Sequence, residues 1–267
     1  MRLTCQEQLL PGDTLQAKWD TAQRLGYDGI ELRGHGGHRI RERLPELHRA
    51  RRDGVVMRTV CVDMAHFIGA FDADLRRDAV ANLRTQLSVI AEIGGSSAMT
   101  PAAYGMFSRR LPPFVPPRDP DGDREVLLDG LGELGRHAQA EGVQILLEPL
   151  NRYEDHMVNR LEQAVELAGA TGLAGVGVVA DSYHMNIEEP DPAAALVAAA
   201  DRLAHVQVSD SNRLEPGAGH LDWPAFLGAL ERIGYAGDLA VECRLSGPAE
   251  QALAAAAGTL RGAVSHV

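Results

Sequence analysis

Acidic side chains end several short apolar segments in the second half of the chain. Glu148 ends the stretch ILLE, Asp181 ends GVGVVAD, and Glu242 follows the apolar run DLAV. A fourth segment, AHVQV, carries His205 and Gln207. Carboxylates that converge repel one another unless a cation neutralises them. If the fold brings these segments together, we therefore expect a divalent metal site, and its oxygen-rich ligands favour Mn²⁺ or Mg²⁺.

The chain alternates between short apolar segments rich in β-branched residues and longer segments with helical spacing, which predicts parallel strands separated by helices. The eight predicted strands cover residues 3–6, 29–33, 55–63, 97–100, 143–148, 176–181, 205–209 and 239–243. The predicted helices lie near residues 14–25, 41–52, 74–93, 123–141, 159–170, 191–202, 223–233 and 248–264. Several helices end in glycine, as in EIGG and QAEG, which supplies a left-handed C-cap.

Eight β/α units in a chain of 267 residues predict a single (β/α)₈ TIM barrel, with residues 1–267 as one catalytic domain. A doubly wound open sheet is the rival architecture. It would show a glycine-rich turn after the first strand, but TCQEQLLPGD contains no GxGxxG motif. The barrel is therefore the favoured fold.

The C-terminal ends of barrel strands meet at one mouth, so the four polar strand ends are expected to face one point. Glu148, Asp181, Gln207 and Glu242 are the predicted metal ligands at this mouth. His205 and Gln207 have the same parity, so both side chains should point into the barrel, with Gln207 nearer the mouth. Geometry favours Gln207 as the ligand, whereas ligand chemistry favours His205.

Further polar residues follow the strands in predicted loops. His66 follows strand 3, His184 follows Asp181, and Arg213 follows Gln207, so each could bind substrate oxygens or satisfy local carbonyl groups. The proline-rich segment 104–123 follows strand 4 and could cover the mouth. Its arginines, Arg109, Arg110 and Arg118, either contact an anionic substrate or are solvated loop charges.

Composition and charge narrow the function classes. The formal net charge is -11 without a basic tract, so nucleic acid is not an expected partner. No run of about 18 apolar residues and no signal-peptide pattern occurs, which predicts a cytoplasmic protein with no membrane partner. The three cysteines, Cys5, Cys61 and Cys243, are odd in number and scattered, so we expect buried, reduced thiols.

The segments LEPLNRYE, DSYHMNIEE, SDSNRLEPGAGHLDW and VECR, in this order, resemble the xylose-isomerase-like barrel superfamily of sugar isomerases and epimerases. The chain looks most like the ketose 3-epimerase branch, which includes D-tagatose and D-psicose 3-epimerases. The resemblance implies that Glu148, Asp181 and Glu242 are three of four metal ligands, and that Glu148 and Glu242 are the acid/base pair. The 3-epimerases carry histidine where this chain has Gln207, a residue familiar there from the hydroxypyruvate-isomerase-like branch.

Glu154, His184 and Arg213 match substrate-binding positions of the same family. The resemblance implies a metal-dependent sugar epimerase or isomerase that forms an enediolate from a small ketose, with Mn²⁺ or Mg²⁺ as the metal and Co²⁺ or Zn²⁺ as alternatives. It also implies a homodimer or homotetramer. Two other functions stay open: a metal-dependent dehydratase of the inosose type, and a carbohydrate-binding barrel without turnover.

Overall fold

The computed structural model describes residues 1–106 and 115–264, with only the backbone described at Val264. Eight parallel strands form a closed barrel in chain order, and β1 pairs with β8 to close it. The strands are β1 (Arg2–Gln6), β2 (Gly29–His35), β3 (Met57–Asp63), β4 (Ser97–Pro101), β5 (Gln144–Glu148), β6 (Val176–Asp181), β7 (Leu203–Val208) and β8 (Asp238–Val241). The predicted TIM barrel is confirmed.

Helices between the strands cover the outside of the barrel. They are α1 (Leu15–Arg24), α2 (Arg39–Glu42), α3 (Leu44–Arg52), α4 (Ala73–Glu92), α5 (Pro120–Glu141), α6 (Leu161–Ala170), α7 (Ser182–Glu188), α8 (Pro192–Ala198), α9 (Trp223–Arg232) and α10 (Ala249–Val264). Glycine ends α5 as predicted, because Gly142 adopts a left-handed φ of 73° at the C-cap.

Two helical regions differ from the sequence prediction. The helix expected at 41–52 is split into α2 and α3, and Pro45 in the first turn of α3 lacks the N–H that would continue a helix through it. The short helix α7 was not predicted. It begins directly after β6 because the Asp181 side chain accepts hydrogen bonds from the backbone N–H groups of Tyr183 and His184.

The barrel interior is apolar on one side and polar on the other. Met99, Leu146 and Val179 form a separate small apolar cluster inside the barrel, apart from the main core between strands and helices. His205 and Gln207 are both buried and both contact Glu31 inside the barrel, so the predicted parity of β7 is confirmed.

The three cysteines are free, but only Cys5 is buried. The expectation of burial was wrong for Cys61 and Cys243, which are half-buried because both line the cavity at the barrel mouth. None of the helices in the described ranges is long and apolar enough to cross a membrane.

The proline-rich segment after β4 lies partly outside the described residues, and Arg109 and Arg110 are in the part that does (107–114). Arg118 is described, and its guanidinium is held by the protein. It lies 2.6 Å from Asp123 Oδ1 and donates to the carbonyl of Gly69, also at 2.6 Å. Arg118 therefore connects its own loop to the loop that contains Gly69, and its guanidinium is occupied by these contacts instead of facing a substrate.

Candidate active site

A cavity of about 410 Å³ opens at the C-terminal ends of the strands. The predicted residues that line it are Glu148, Glu154, His184, Arg213 and Glu242. Asp181 and Gln207 are buried next to it, with Asp181 paired to Gln207 in the β6–β7 register. His66 is half-buried in the loop after β3 and does not line this cavity in the described part of the chain.

Two glutamates project from strands that are three positions apart around the barrel. Glu148 ends β5 and is 5% exposed, and Glu242 follows β8, where its backbone N–H donates to Val208 and extends the ladder. Burial, followed by repulsion from Glu242 and Asp181, raises the pKa of Glu148 well above its ordinary value. Burial also raises the pKa of Glu242, although Arg213 opposes the shift. The site therefore holds more negative charge than its own cations balance.

Arg213 is the main cation among these carboxylates. Its Nη1 donates to Asp181 Oδ2 at 2.7 Å and its Nη2 to Glu242 Oε2 at 2.9 Å, and the guanidinium lies 5.0 Å from the Tyr183 ring centroid. The residue adopts a left-handed φ of 61°, a conformation uncommon for non-glycine residues. Two backbone hydrogen bonds hold this conformation. The Arg213 N–H donates to the Asp210 carbonyl, and the Arg244 N–H donates to the Arg213 carbonyl.

His184 is fixed as a hydrogen-bond donor toward the cavity. Its Nδ1 accepts from the backbone N–H of Asn151 at 3.0 Å and lies 2.9 Å from the side-chain nitrogen of Asn151. The Asn151 oxygen accepts from the Tyr153 N–H, which assigns the amide orientation. With Nδ1 occupied as acceptor, the proton of the neutral ring is on Nε2, which lies 3.9 Å from Glu148 Oε1.

The neutral state of His184 is favoured by its surroundings. Burial, assisted by the charge of Arg213, lowers the pKa of His184 from 6.5 to about 4. The ring thus presents an N–H to the cavity at neutral pH without adding a charge.

Asn151 and Arg152 show why the sequence LEPLNRYE continues as it does after Glu148. Asn151 orients His184, and Arg152 forms two hydrogen bonds from its side chain to Glu188 near the end of α7, at 2.8 and 2.9 Å. These contacts fasten the loop after β5 to the helix that carries His184. The polar run within the segment was the available signal, but the partners lie more than 30 residues away along the chain.

Glu31 is a buried residue that the sequence reasoning missed. It lies inside the barrel below the mouth and accepts a hydrogen bond at 3.0 Å from the side-chain nitrogen of Gln207. A charged residue within the apolar strand GIELRG was the signal that could have found it, because its parity places it inside the barrel.

One group of side chains could hold a metal ion. Ligand atoms of Glu148, Asp181 and His184 lie within 4.8 Å of one another, and all three residues are buried. Beside them, the Oε1 atom of Gln207 is buried and has no hydrogen-bond partner among the described residues. A buried amide oxygen without a donor is a suitable ligand for a hard cation.

A closed (β/α)₈ barrel with acidic strand ends at its mouth is the architecture of a known enzyme family. Residues 19–263 match the family model of the xylose isomerase-like TIM barrel, and the chain belongs to this family. The family assignment made from the sequence motifs is confirmed.

The relatives of the chain are sugar epimerases. The chain is 35% identical to 3-dehydro-D-guloside 4-epimerase of Escherichia coli (strain K12), over 92% of this chain and 93% of that protein. It is 37% identical to D-psicose 3-epimerase of Enterocloster bolteae, over 52% of this chain and 46% of that one. The apo crystal structure of 3-keto-D-glucoside 4-epimerase from E. coli has a TM-score of 0.92 and 34% identity, covering 98% of this chain and 99% of that chain. The protein is therefore an isomerase-class enzyme, a sugar epimerase or isomerase.

Proposed function

We propose that this enzyme is a metal-dependent epimerase of uncharged keto sugars, and that a 3-keto glycoside, inverted at C4, is its preferred substrate class. The E. coli relatives support this class because their names specify 3-keto or 3-dehydro glycosides and the similarity extends over nearly the whole chain. The ketose 3-epimerase relatives catalyse the related change next to a carbonyl at C2. In both cases the proton that moves is on the carbon beside a carbonyl.

The observation that carries the proposal is that Glu148 and Glu242 line the same cavity from two different strands, β5 and β8. Epimerisation requires a base on one face of the substrate carbon and an acid on the other face. Because β5 and β8 are separated by two strands on one side of the barrel and by four on the other, the carboxyl groups at their ends can approach a bound sugar from different sides. One glutamate removes the proton and the other returns a proton to the opposite face.

The other cavity residues suit the binding of sugar hydroxyl groups. His184 Nε2–H is a neutral donor, and Glu154 supplies a carboxylate acceptor at the rim of the cavity. Arg213 adds a positive charge close to Glu242 and can stabilise the negative charge that develops on the sugar oxygen. These three residues hold the substrate carbon between the two glutamates.

A divalent cation fits the same residues, and Glu148, Asp181, Gln207 and Glu242 are the proposed ligands. His184 is not among them because its Nε2 carries the ring proton and its Nδ1 is occupied by Asn151. The fourth proposed ligand is Gln207 Oε1, which is buried and accepts no hydrogen bond from the described residues. When bound, Mn²⁺ or Mg²⁺ supplies Lewis-acid polarisation of the carbonyl and stabilises the enediolate charge.

The charge of the cavity favours a substrate without a phosphate group. Four carboxylates line it, those of Asp63, Glu148, Glu154 and Glu242, and its two arginines are Arg213 and Arg244. Arg213 is already shared between Asp181 and Glu242. With the proposed divalent cation, the two guanidinium groups and the metal supply four positive charges against five carboxylates when Asp181 is counted, so a phosphate would still enter a site of net negative charge, whereas a neutral sugar carries no such penalty.

The test is an NMR assay in deuterium oxide with 3-keto glycosides, unmodified ketoses and their phosphates, each with Mn²⁺ or Mg²⁺ and with the metal removed before spectra are recorded. We expect metal-dependent deuterium incorporation beside the carbonyl and formation of the epimer, fastest with 3-keto glycosides. Loss of water, detected by product mass, would instead support a dehydratase. Sugar binding without exchange for every compound would contradict the enzymatic proposal.

A further inference from the structure

Below the mouth, Glu31 lies at the centre of the barrel with no solvent exposure. Its Oε1 accepts hydrogen bonds from the side-chain nitrogens of Gln6 at 3.1 Å and Gln207 at 3.0 Å. Its Oε2 accepts from the Thr59 hydroxyl at 2.7 Å and lies 2.8 Å from His205 Nε2. Residues from β1, β3 and β7 therefore all face one carboxylate on β2.

Both oxygens of the Glu31 side chain act as hydrogen-bond acceptors. Oε1 lies within 3.1 Å of two side-chain nitrogens, and Oε2 accepts from a hydroxyl group. An oxygen that accepts a hydrogen bond requires a donor opposite it, and an amide offers a donor only at its nitrogen. The group that faces Glu31 is therefore the NH₂ end of the Gln207 amide.

We infer that Glu31 is a positioning residue for the metal site, because it fixes the Gln207 amide with its nitrogen below and its oxygen free to bind the cation. The inference rests on the proposed function, in which Gln207 is a metal ligand. It concerns Glu31, which has no direct contact with substrate or metal in this scheme. Thr59, His205 and Gln6 take part by holding Glu31 in place.

An amide ligand needs such a residue because its two ends have nearly the same shape but opposite polarity. If the Gln207 amide turned over, its NH₂ group would face the cation and its oxygen would face the Glu31 carboxylate, and both contacts would be repulsive. With Glu31 in place, only one orientation satisfies the buried NH₂ group. As a consequence, the Oε1 atom of Gln207 points away from Glu31 and has no hydrogen-bond donor among the residues that the structure describes.

The experiment is titration of the apoenzyme with MnCl₂ by isothermal calorimetry, which measures metal affinity without turnover. In Glu31→Gln the charge that selects the amide orientation is lost, and we expect the Mn²⁺ affinity to fall about 10–100-fold. Glu31→Asp keeps the charge but shortens the side chain, so it should also weaken binding if the 3.0 Å contact matters. This variant keeps the test decisive if Glu31→Gln folds poorly.

The double variant Glu31→Gln/Gln207→Glu exchanges the two groups and gives a readout that a purely structural role would not move. The ligand position then carries a carboxylate, which presents oxygen in either orientation, and the introduced amide donates upward to it. We expect this double variant to regain Mn²⁺ affinity to within about tenfold of the wild type, on the scale of second-shell effects. The matched control is Asp238→Asn, a buried carboxylate at the opposite end of the barrel, which should leave Mn²⁺ affinity unchanged.

Wild-type Mn²⁺ affinity in both Glu31 variants, or failure of the double variant to bind better than Glu31→Gln, would overturn the inference. Absence of Mn²⁺ binding by the wild type would overturn it together with the metal site. A wild type that binds Mn²⁺ but converts no keto sugar would overturn the proposed reaction alone, because the affinity comparison does not depend on turnover.

Discussion

The two ends of the barrel both contain charged residues, but they balance their charges differently. At the floor, where the strands begin, the buried Asp238 lies 2.5 Å from Arg2 Nε and 3.4 Å from Arg58 Nε. At the mouth, Asp181 and Glu242 share the single Arg213, and Glu148 has no arginine partner among the described residues.

Because of this difference, charge balance and not cavity size is our reason for placing the proposed active site at the mouth. The floor has the larger cavity, about 850 Å³ against about 410 Å³ at the mouth. Its carboxylate is neutralised within the chain, which is the arrangement of a stabilising ion pair. The mouth leaves carboxylates without a matching number of cations in the described chain, and we propose that an added metal ion balances them.

The largest difference between the two ends should appear in turnover. Glu148→Gln and Glu242→Gln each remove a proton-transfer group, so we expect the kcat of epimerisation to fall about 10²–10⁴-fold. Steady-state kinetics with metal content measured on the same samples separates lost acid/base chemistry from lost metal. Full turnover in either metal-loaded variant would break the assignment.

Metal removal should lower the free energy of unfolding, and the loss should depend on residues at the mouth and not on those at the floor. Mn²⁺ at 100 times its dissociation constant should add about 2.7 kcal/mol to the free energy of unfolding, and chelation should remove it. Thermal melts with and without Mn²⁺ measure this contribution. Asp181→Asn should lose the Mn²⁺-dependent rise in Tm, and the floor variant Asp238→Asn should keep it. Equal Mn²⁺ responses in the two variants would contradict the comparison.

The ion pairs of Asp238 with Arg2 and Arg58 at the floor should affect stability without affecting catalysis. Asp238→Asn weakens the contacts with Arg2 and Arg58, and we expect it to lower the free energy of unfolding by about 2 kcal/mol. Urea denaturation measures this loss, and kcat/KM of the folded protein is the control. A large fall in kcat/KM with unchanged stability would show that the two ends do not divide their roles in this way.

A smaller effect is expected from the loop that orients His184. Asn151→Ala removes one of the two donors to Nδ1 and should cost about 1 kcal/mol, or about fivefold in kcat/KM. The Mn²⁺ affinity should not change, because His184 is not a proposed ligand. A loss of Mn²⁺ affinity comparable to that of Asp181→Asn would place His184 in the metal shell.

His184 should also show an unusual pH dependence, which ¹⁵N NMR of the imidazole can measure. Because burial and Arg213 lower its pKa to about 4, the ring should stay neutral with the proton on Nε2 from pH 8 to about pH 5. A folded-state pKa below the ordinary 6.5 means that this residue's contribution to stability is present above 6.5 and is lost as the pH falls through about 4. Protonation near pH 6.5 would contradict the assigned hydrogen bonds.

The mouth could be predicted from the sequence because its residues lie at strand ends and the barrel rule brings strand ends together. The alternation of side chains along a strand placed Gln207 and His205 inside the barrel. The parity of Glu31 could have placed it inside the barrel, but its contacts with His205 and Gln207 could not be predicted, because β7 faces β2 only when the barrel closes. The role of Asn151 was also hidden, since its partner lies on α7, a helix that depends on the Asp181 side chain as its N-cap.

The measurement that tests the central claim most directly is deuterium exchange by the single glutamate variants, followed from each epimer separately. If Glu148 and Glu242 act on opposite faces, the Glu148→Gln variant should catalyse deuterium exchange into only one epimer. The Glu242→Gln variant should catalyse exchange into only the other epimer. Neither metal-loaded variant should interconvert the epimers at the wild-type rate. Exchange from both epimers in both variants, at wild-type rates, would show that the two glutamates are not the acid/base pair.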